Sequence, residues 1–345
     1  MVENGIMLKI DTHTHILPPE IPKFKDQFGY GGFIQLVKNA GCSHCDMIDD
    51  SGKFFRRVDA NTFDADERMK DMKSYLTQVQ VLSTVPVMFS YWAKPADGLT
   101  VSRFLNDHLA NVCVLQPKKF IGLGTLPLQD VDLAIGEVYR CVDELKLAGF
   151  QIGSHVMGKN LSDPSFFPLY AELEKKGACL FVHPWDMMGQ DTMTKYWLPW
   201  LVGMPAETSR AICSFIFGGV FDKFPKLRVQ FAHGGGSFPF TLGRIQHGWE
   251  SRPDLCAVDC KLSPKDYVSK FFVDSLVHDQ RSLKFLIEVM GEDHVCLGTD
   301  YPFPLGETEA GKLIDGSGFI DKPMREKLFH RNALKWLNRN QNDFL

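Results

Sequence analysis

The sequence predicts an α/β protein of the (β/α)8 TIM-barrel class, with a small lid inserted after its first strand. Eight short runs rich in β-branched and aromatic residues occur at 8–10, 79–85, 120–126, 150–152, 178–182, 227–232, 271–276 and 295–298. Segments of helical apolar spacing separate them, which calls for parallel strands joined by right-handed crossovers. Polar, chemistry-bearing side chains follow several of these runs directly, as they do at the C-terminal rim of such a barrel.

The first run leads into Asp11-Thr12-His13-Thr14-His15. Extended backbone sends residues i and i+2 to one side, so both imidazoles can face one point in chelate fashion. Successive runs start roughly 40 residues apart, a spacing that suits barrel units with decorated loops. The first interval is longer, and its excess, approximately 18–63, is rich in Gly, Lys and Asp. It reads as a lid or small subdomain, because structureless loops beyond about 15 residues are uncommon. Leu133, Ile135, Val138, Val142 and Leu145 fall near one helical face and predict a helix over 133–145, and a second helical signal covers 167–173. The fifth run ends in His183, the sixth in His233, the seventh in Asp274 and the eighth in Asp300. The apolar run 211–221 reads as a buried helix, too short to span a membrane. Residues 322–337 read as a closing helix anchored by Met324, Leu328 and Leu334. The 345 residues are expected to form one domain.

With 44% hydrophobic and 23% charged residues, the chain has the composition of a globular protein, which excludes a disordered reading. The 38 basic and 42 acidic side chains leave a net charge of −4, so no global field attracts a polyanion such as nucleic acid. Partners are expected to be small molecules. Met1-Val2-Glu3-Asn4-Gly5 lacks a basic stretch leading into an apolar one, which makes the cytosol the default location. Nine cysteines, mostly scattered singly, predict reduced thiols. Cys42-Ser43-His44-Cys45 invites a zinc reading but has no second cysteine pair to complete it, so it is read as incidental.

In a (β/α)8 barrel the strand C-termini converge on one rim, so His13, His15, His183, His233 and Asp300 can meet at a common centre. Imidazole nitrogens and a carboxylate oxygen suit Zn²⁺ first, with Fe²⁺, Co²⁺ or Mn²⁺ as substitutes. Such an ion lowers the pKa of bound water towards about 7, and an unligated histidine beside it, assigned here to His233, shuttles protons. Asp274 is expected to bond backbone rather than react, and His155 has no assignable role. Gly234-Gly235-Gly236 favours close approach of backbone to a ligand over a phosphate cradle.

This pattern resembles the amidohydrolase superfamily. Binuclear members carry a carboxylated lysine at the end of strand four, whereas this chain reads Gly153-Ser154-His155 there, which implies one metal ion. Longer runs sharpen the likeness: His183-Pro184-Trp185-Asp186-Met187, Tyr196-Trp197-Leu198-Pro199-Trp200 through Thr208, His233-Gly234-Gly235-Gly236-Ser237-Phe238-Pro239-Phe240, and Gly298-Thr299-Asp300-Tyr301-Pro302-Phe303-Pro304. They resemble the superfamily's decarboxylases of tryptophan and kynurenine catabolism over nearly the whole chain. The resemblance implies a zinc-dependent carboxy-lyase, a homodimer that removes CO₂ from a small dicarboxylate semialdehyde without hydrolysis and so limits quinolinate formation. It further implies His13, His15, His183 and Asp300 as ligands of one Zn²⁺ per subunit and His233 as acid/base. Arg56, in Lys53-Phe54-Phe55-Arg56, would meet a substrate carboxylate, Arg244 would reach the partner's pocket, and Trp200 and Phe303 would line it. The chain departs from the pattern at Phe63-Asp64-Ala65, where those enzymes usually read Trp-Asp-Pro, and the adjacent Arg57 makes the choice of Arg56 depend on register. Two alternatives stand beside this reading: a mononuclear metallo-hydrolase or aromatic-acid decarboxylase of the same superfamily, and a non-catalytic metal-binding protein.

Overall fold

The computed structural model describes residues 7–38 and 41–344, and Met1 to Gly5 of the leader reading lie outside the described residues. Its centre is a ring of eight strands: β1 (Ile10–Ile16), β2 (Val79–Thr84), β3 (Phe120–Gly124), β4 (Gly149–Gly153), β5 (Cys179–His183), β6 (Val229–Phe231), β7 (Phe272–Asp274) and β8 (Val295–Cys296). Each pairs in parallel with its sequence neighbour. The ring closes where the Thr12 N–H donates to the Leu297 carbonyl at 2.9 Å and Thr14 bridges Tyr301 in parallel. The predicted barrel is therefore present, and all eight expected runs supply its strands.

Two apolar layers hold it. Ile10, Val79, Val81, Leu123, Cys179 and Phe181 cluster with Trp336 of the last helix, whose indole N–H donates to the Leu180 carbonyl at 3.3 Å. Leu180, Val182, Phe231 and Val273 pack instead with residues of the helices, among them Leu173, Ile212 and Phe215. Alternation along each strand sends one set to each layer.

Three details differ from the sequence reading. First, β1 runs on to Ile16, so both histidines lie within the strand, and an irregularity between Asp11 and Thr14 gives β1 one residue more than β2 there. Second, the helix expected over 133–145 is an α-helix, Val131–Tyr139, continued by a π turn, Arg140–Glu144. Its buried positions are Ala134, Glu137, Val138 and Cys141, so a carboxylate faces inwards. Asn106 and Arg140 pair with Glu137 at 2.7 Å, and Arg103 does so at 3.3 Å, which makes that burial tolerable. Third, the run 211–221 is split between the helices Met204–Phe217 and Val220–Lys223. Gly219 sits at φ +63, where a Cβ would come within 2.3 Å of the Asp259 carbonyl oxygen, so only glycine makes this turn.

Between β1 and β2 the chain builds an antiparallel sheet from Ile34–Lys38, Cys45–Asp49 and Phe54–Val58, with a short helix, Phe24–Phe28. Phe24, Phe33, Met47 and Val58 pack it onto Val101 and Leu105 of the helix Pro95–Leu115. The nine cysteines are free thiols. Among the described residues no helix is long and apolar enough to cross a membrane.

Candidate metal centre and substrate pocket

Near the C-terminal ends of β1, β5 and β8 four buried side chains converge. One ligand atom from each of His13, His15, His183 and Asp300 lies within 4.8 Å of the others, the one such group among the described residues. Each imidazole is oriented through its Nδ1. His13 donates to Asp274 Oδ2 at 2.8 Å, His15 to the Thr84 carbonyl at 3.0 Å, and His183 to the Pro184 carbonyl at 2.9 Å. With the proton on Nδ1, every Nε2 presents a lone pair to the centre.

Those lone pairs meet without a proton between them. His13 Nε2 and His15 Nε2 are 3.2 Å apart, and Asp300 Oδ1 lies 3.1 Å from His15 Nε2 and 3.5 Å from His13 Nε2. His183 Nε2 is buried and has no hydrogen-bond partner. Electron pairs this close in a buried pocket repel unless a cation lies among them. Nitrogens held about 2.0–2.1 Å from a divalent ion fall at about this mutual spacing. The donor set therefore fits a divalent metal ion, and no lysine lies in β4 to bridge a second.

The electrostatics agree. Burial pushes the His183 and His15 imidazoles down, and for His183 the neighbouring imidazoles add to the effect, so both favour the neutral, ligating form. Burial alone would raise Asp300, but the polar influence of the adjacent His15, His233 and His13 side chains outweighs it and holds the carboxylate well below its usual range. Asp300 and His233 both take left-handed backbone angles, φ 57 and φ 56. Such conformations cost about 1–3 kcal/mol each and persist where surrounding structure imposes them.

His233 stands beside the cluster rather than in it. Its Nε2 is 3.7 Å from Asp300 Oδ2, and its Nδ1 is buried without a partner. Burial would lower this imidazole, yet hydrogen bonding and charge from Asp300, with Asp274 behind, raise it above the ordinary histidine value. It lines a cavity of about 380 Å³ whose other walls are mostly apolar, including Leu201, Met204, Leu276 and Leu286. A smaller cavity adjoins it at Trp200, Met204, Asp300 and Leu305. Arg56, Phe303, Trp185 and His183 line this second space.

Strand alternation separates the adjacent arginines. Arg57 is exposed and ion-paired with Asp46 at 2.7 Å. Arg56 points the other way, with Cζ 4.6 Å above the Phe303 ring and 5.9 Å from Trp200. It forms no ion pair among the described residues, and burial lowers its pKa, partly opposed by the charge of Asp300. A half-buried guanidinium over aromatic rings, facing a cleft, is a receptor for an anion.

Other candidates fall elsewhere. Arg244 is exposed on the helix Phe238–Ser251 and lines neither of these two cavities. Cys42 and Cys45 lie in the inserted sheet region, apart from the cluster. His155 Nε2 donates to the Asp186 carbonyl at 2.9 Å and ties down the loop after β5. Asp274 bonds backbone, as the sequence reading expected, but it also holds His13, which that reading missed. Besides His13, it accepts the backbone N–H groups of His233 and Gly234, both at 2.8 Å, and so links a ligand to the neighbouring histidine. Its place at the end of a barrel strand was the available signal. Gly298 makes room for it, since a Cβ there would come within 2.6 Å of Asp274 Cβ and 3.0 Å of His13 Cβ.

The chain is similar to known proteins. A 2-amino-3-carboxymuconate-6-semialdehyde decarboxylase of Dictyostelium discoideum is 56% identical over 338 residues, covering 98% of this chain and 94% of that protein. One from Caenorhabditis elegans is 44% identical, covering 97% and 95%. A dihydroxybenzoic acid decarboxylase from Polaromonas sp. JS666, solved with bound manganese and 2-nitroresorcinol, superposes with a TM-score of 0.78 at 22% identity, covering 98% of this chain and all of that one. At that identity it speaks for the fold alone. Residues 10–339 match the amidohydrolase family profile, a span that runs from the first barrel strand past the last helix and contains every member of the buried cluster. With barrel, cluster and relatives in agreement, the chain belongs to the amidohydrolase family.

Proposed function

We propose that this chain is a zinc-dependent carboxy-lyase that converts 2-amino-3-carboxymuconate 6-semialdehyde to 2-aminomuconate 6-semialdehyde and CO₂. The reaction belongs to tryptophan breakdown through kynurenine, where it limits quinolinate formation, and its water-soluble dianionic substrate fits a cytosolic enzyme. The observation that carries the reading is Arg56, a half-buried cation over Phe303 with no ion pair among the described residues, beside a cluster built for a metal ion. Near-full-length identity to decarboxylases of this substrate supports it.

His13, His15, His183 and Asp300 would hold the ion, and three imidazoles with one carboxylate suit Zn²⁺ first, with Co²⁺ or Fe²⁺ able to replace it. Bound there, the ion supplies Lewis-acid stabilisation of negative charge. Arg56 pairs with the carboxylate that is retained and orients the chain of the substrate. Trp200 and Phe303 wall off water. When the C–C bond to the departing carboxylate breaks, CO₂ leaves and the electron pair stays on carbon. The His233 imidazolium fills that position with its proton and is reprotonated from solvent. No oxidant or hydrolytic water is consumed.

A dicarboxylate calls for a second cation. Arg244 fills that role across a homodimer, and its exposed position near Phe240, which is 83% exposed at the cavity's rim, supports this assignment. An aromatic carboxylic acid is the second reading, favoured by the apolar walls of the larger cavity. Ultraviolet assay of purified protein with both substrate types, together with metal analysis, tests the proposal. Loss of the semialdehyde with CO₂ release supports it, and turnover of hydroxybenzoates alone overturns it.

A further inference from the structure

Arg68 lies in the helix Ala65–Ser74, whose first turn Asp64 caps by accepting the N–H groups of Asp66 and Glu67. Asp66 and Lys70 nearby are charged and exposed, yet Arg68 itself is 0% exposed. The guanidinium reaches behind the metal cluster. Nη1 donates to Gln80 Oε1 of β2 at 3.1 Å, and Nη2 donates to the backbone carbonyl of His15. Cζ lies 4.8 Å over the ring of Tyr301, the residue after Asp300. The Tyr301 carbonyl in turn accepts the His15 N–H at 2.8 Å, and the Tyr301 hydroxyl donates to Asp71 on the helix that carries Arg68.

A buried guanidinium without a directly bonded carboxylate is costly, and burial lowers its pKa to about 10, against the opposing influence of Tyr301, Asp11 and Asp71. It remains charged at neutral pH. What this charge touches explains its retention: one arm holds the peptide of one cluster residue, and its flat face packs on the neighbour of another.

We propose that Arg68 is a positioning residue that sets the spacing between His15 on β1 and Asp300 after β8, and thereby tunes the metal site. The proposal rests on the metal-site reading above. The planar fork provides two fixed bonds and a stacking face at once, which a lysine ammonium cannot do. Partners that orient metal ligands are typically worth about 10–100-fold in metal affinity.

The test compares Arg68→Lys and Arg68→Met with the parent in three measurements: Zn²⁺ affinity by chelator competition, the visible spectrum of the Co²⁺-loaded protein, and melting of the metal-free protein. The expected result is weakening of Zn²⁺ binding by about 10-fold or more, with an altered Co²⁺ spectrum. Apo-protein melting should change too little to account for it. Unchanged affinity and spectrum in a folded variant overturn the proposal. If both variants fail to fold, Gln80→Met, which removes one of the two fixed acceptors, decides the matter by the same readouts. A parent that binds no divalent ion, or a His183→Ala variant that binds it as tightly, would instead refute the metal-site reading itself.

Discussion

Asp274 and His233 divide the work that a single residue cannot do. Asp274 fixes the His13 ring and the His233 backbone through three short bonds from a fully buried position, while the His233 side chain alone faces the larger cavity. Replacing Asp274 with asparagine leaves size intact but removes the negative charge that supports His13. Zn²⁺ affinity should fall by about 10-fold or more, measured by chelator competition. His233→Ala should behave differently, keeping its metal by elemental analysis while losing roughly 10²-fold or more in kcat, the usual effect of deleting a general acid/base. An empty metal site in that variant would make His233 a ligand. Arg56→Ala should raise KM, because the aromatic floor remains and the cation does not. An unchanged KM would leave the substrate carboxylate to another group.

At the scale of elements, the helix Val131–Tyr139 shows how a buried charge joins two barrel helices. Glu137 takes donors from Asn106 and Arg103 of the helix Pro95–Leu115 and from Arg140 of its own π turn. Burial would raise the Glu137 pKa, but these partners outweigh it and hold the group below the usual glutamate value. A depressed carboxylate pKa contributes stability that is complete above the unfolded value, near about 4.3, and is lost as pH falls through the folded one. Glu137→Ala should destabilise by about 1–3 kcal/mol near neutrality, because it removes an acceptor from the buried Asn106 amide and from the partly exposed Arg140. Urea unfolding should show this gap narrowing below about pH 4.3, while turnover of the folded variant at neutral pH stays near that of the parent. A gap that persisted into acid would assign the loss to packing instead of charge.

For the molecule as a whole, the barrel core does not depend on the cluster. Its apolar layers close without any contribution from a metal ligand, so chelation should leave far-ultraviolet circular dichroism unchanged while abolishing turnover. The melting temperature should fall by a few degrees, since an ion bound only by the folded state adds stability by mass action. Full turnover after chelation would remove the ion from the mechanism. The proposed dimer has its own test. Arg244→Ala and Arg56→Ala subunits, each impaired alone, should regain part of the activity when mixed, because one of the two shared sites then keeps both arginines. Absence of recovery despite subunit exchange would place the two arginines outside any shared site.

The sequence by itself determined the order and direction of the eight strands, since alternating apolar runs and helical segments leave few ways to bury both. It also singled out His13, His15, His183 and Asp300, because a barrel brings strand ends to one rim whatever the helices outside do. Local pattern could not decide which side chains support them. Arg68 sits among Asp66, Glu67 and Lys70 and looks like a solvated helix residue. Only the docking of its helix behind β1 makes it a buried clamp on His15. Asp274 was visible as a strand-end carboxylate, but its partners His13, His233 and Gly234 come from β1 and the loop after β6, far away in sequence. Likewise, the choice between Arg56 and Arg57 depended on which face of a three-stranded sheet turned towards the cleft, and packing against Phe303 settles that direction. Burial patterns are written locally, whereas hydrogen bonds between distant strands exist only once the ring has closed.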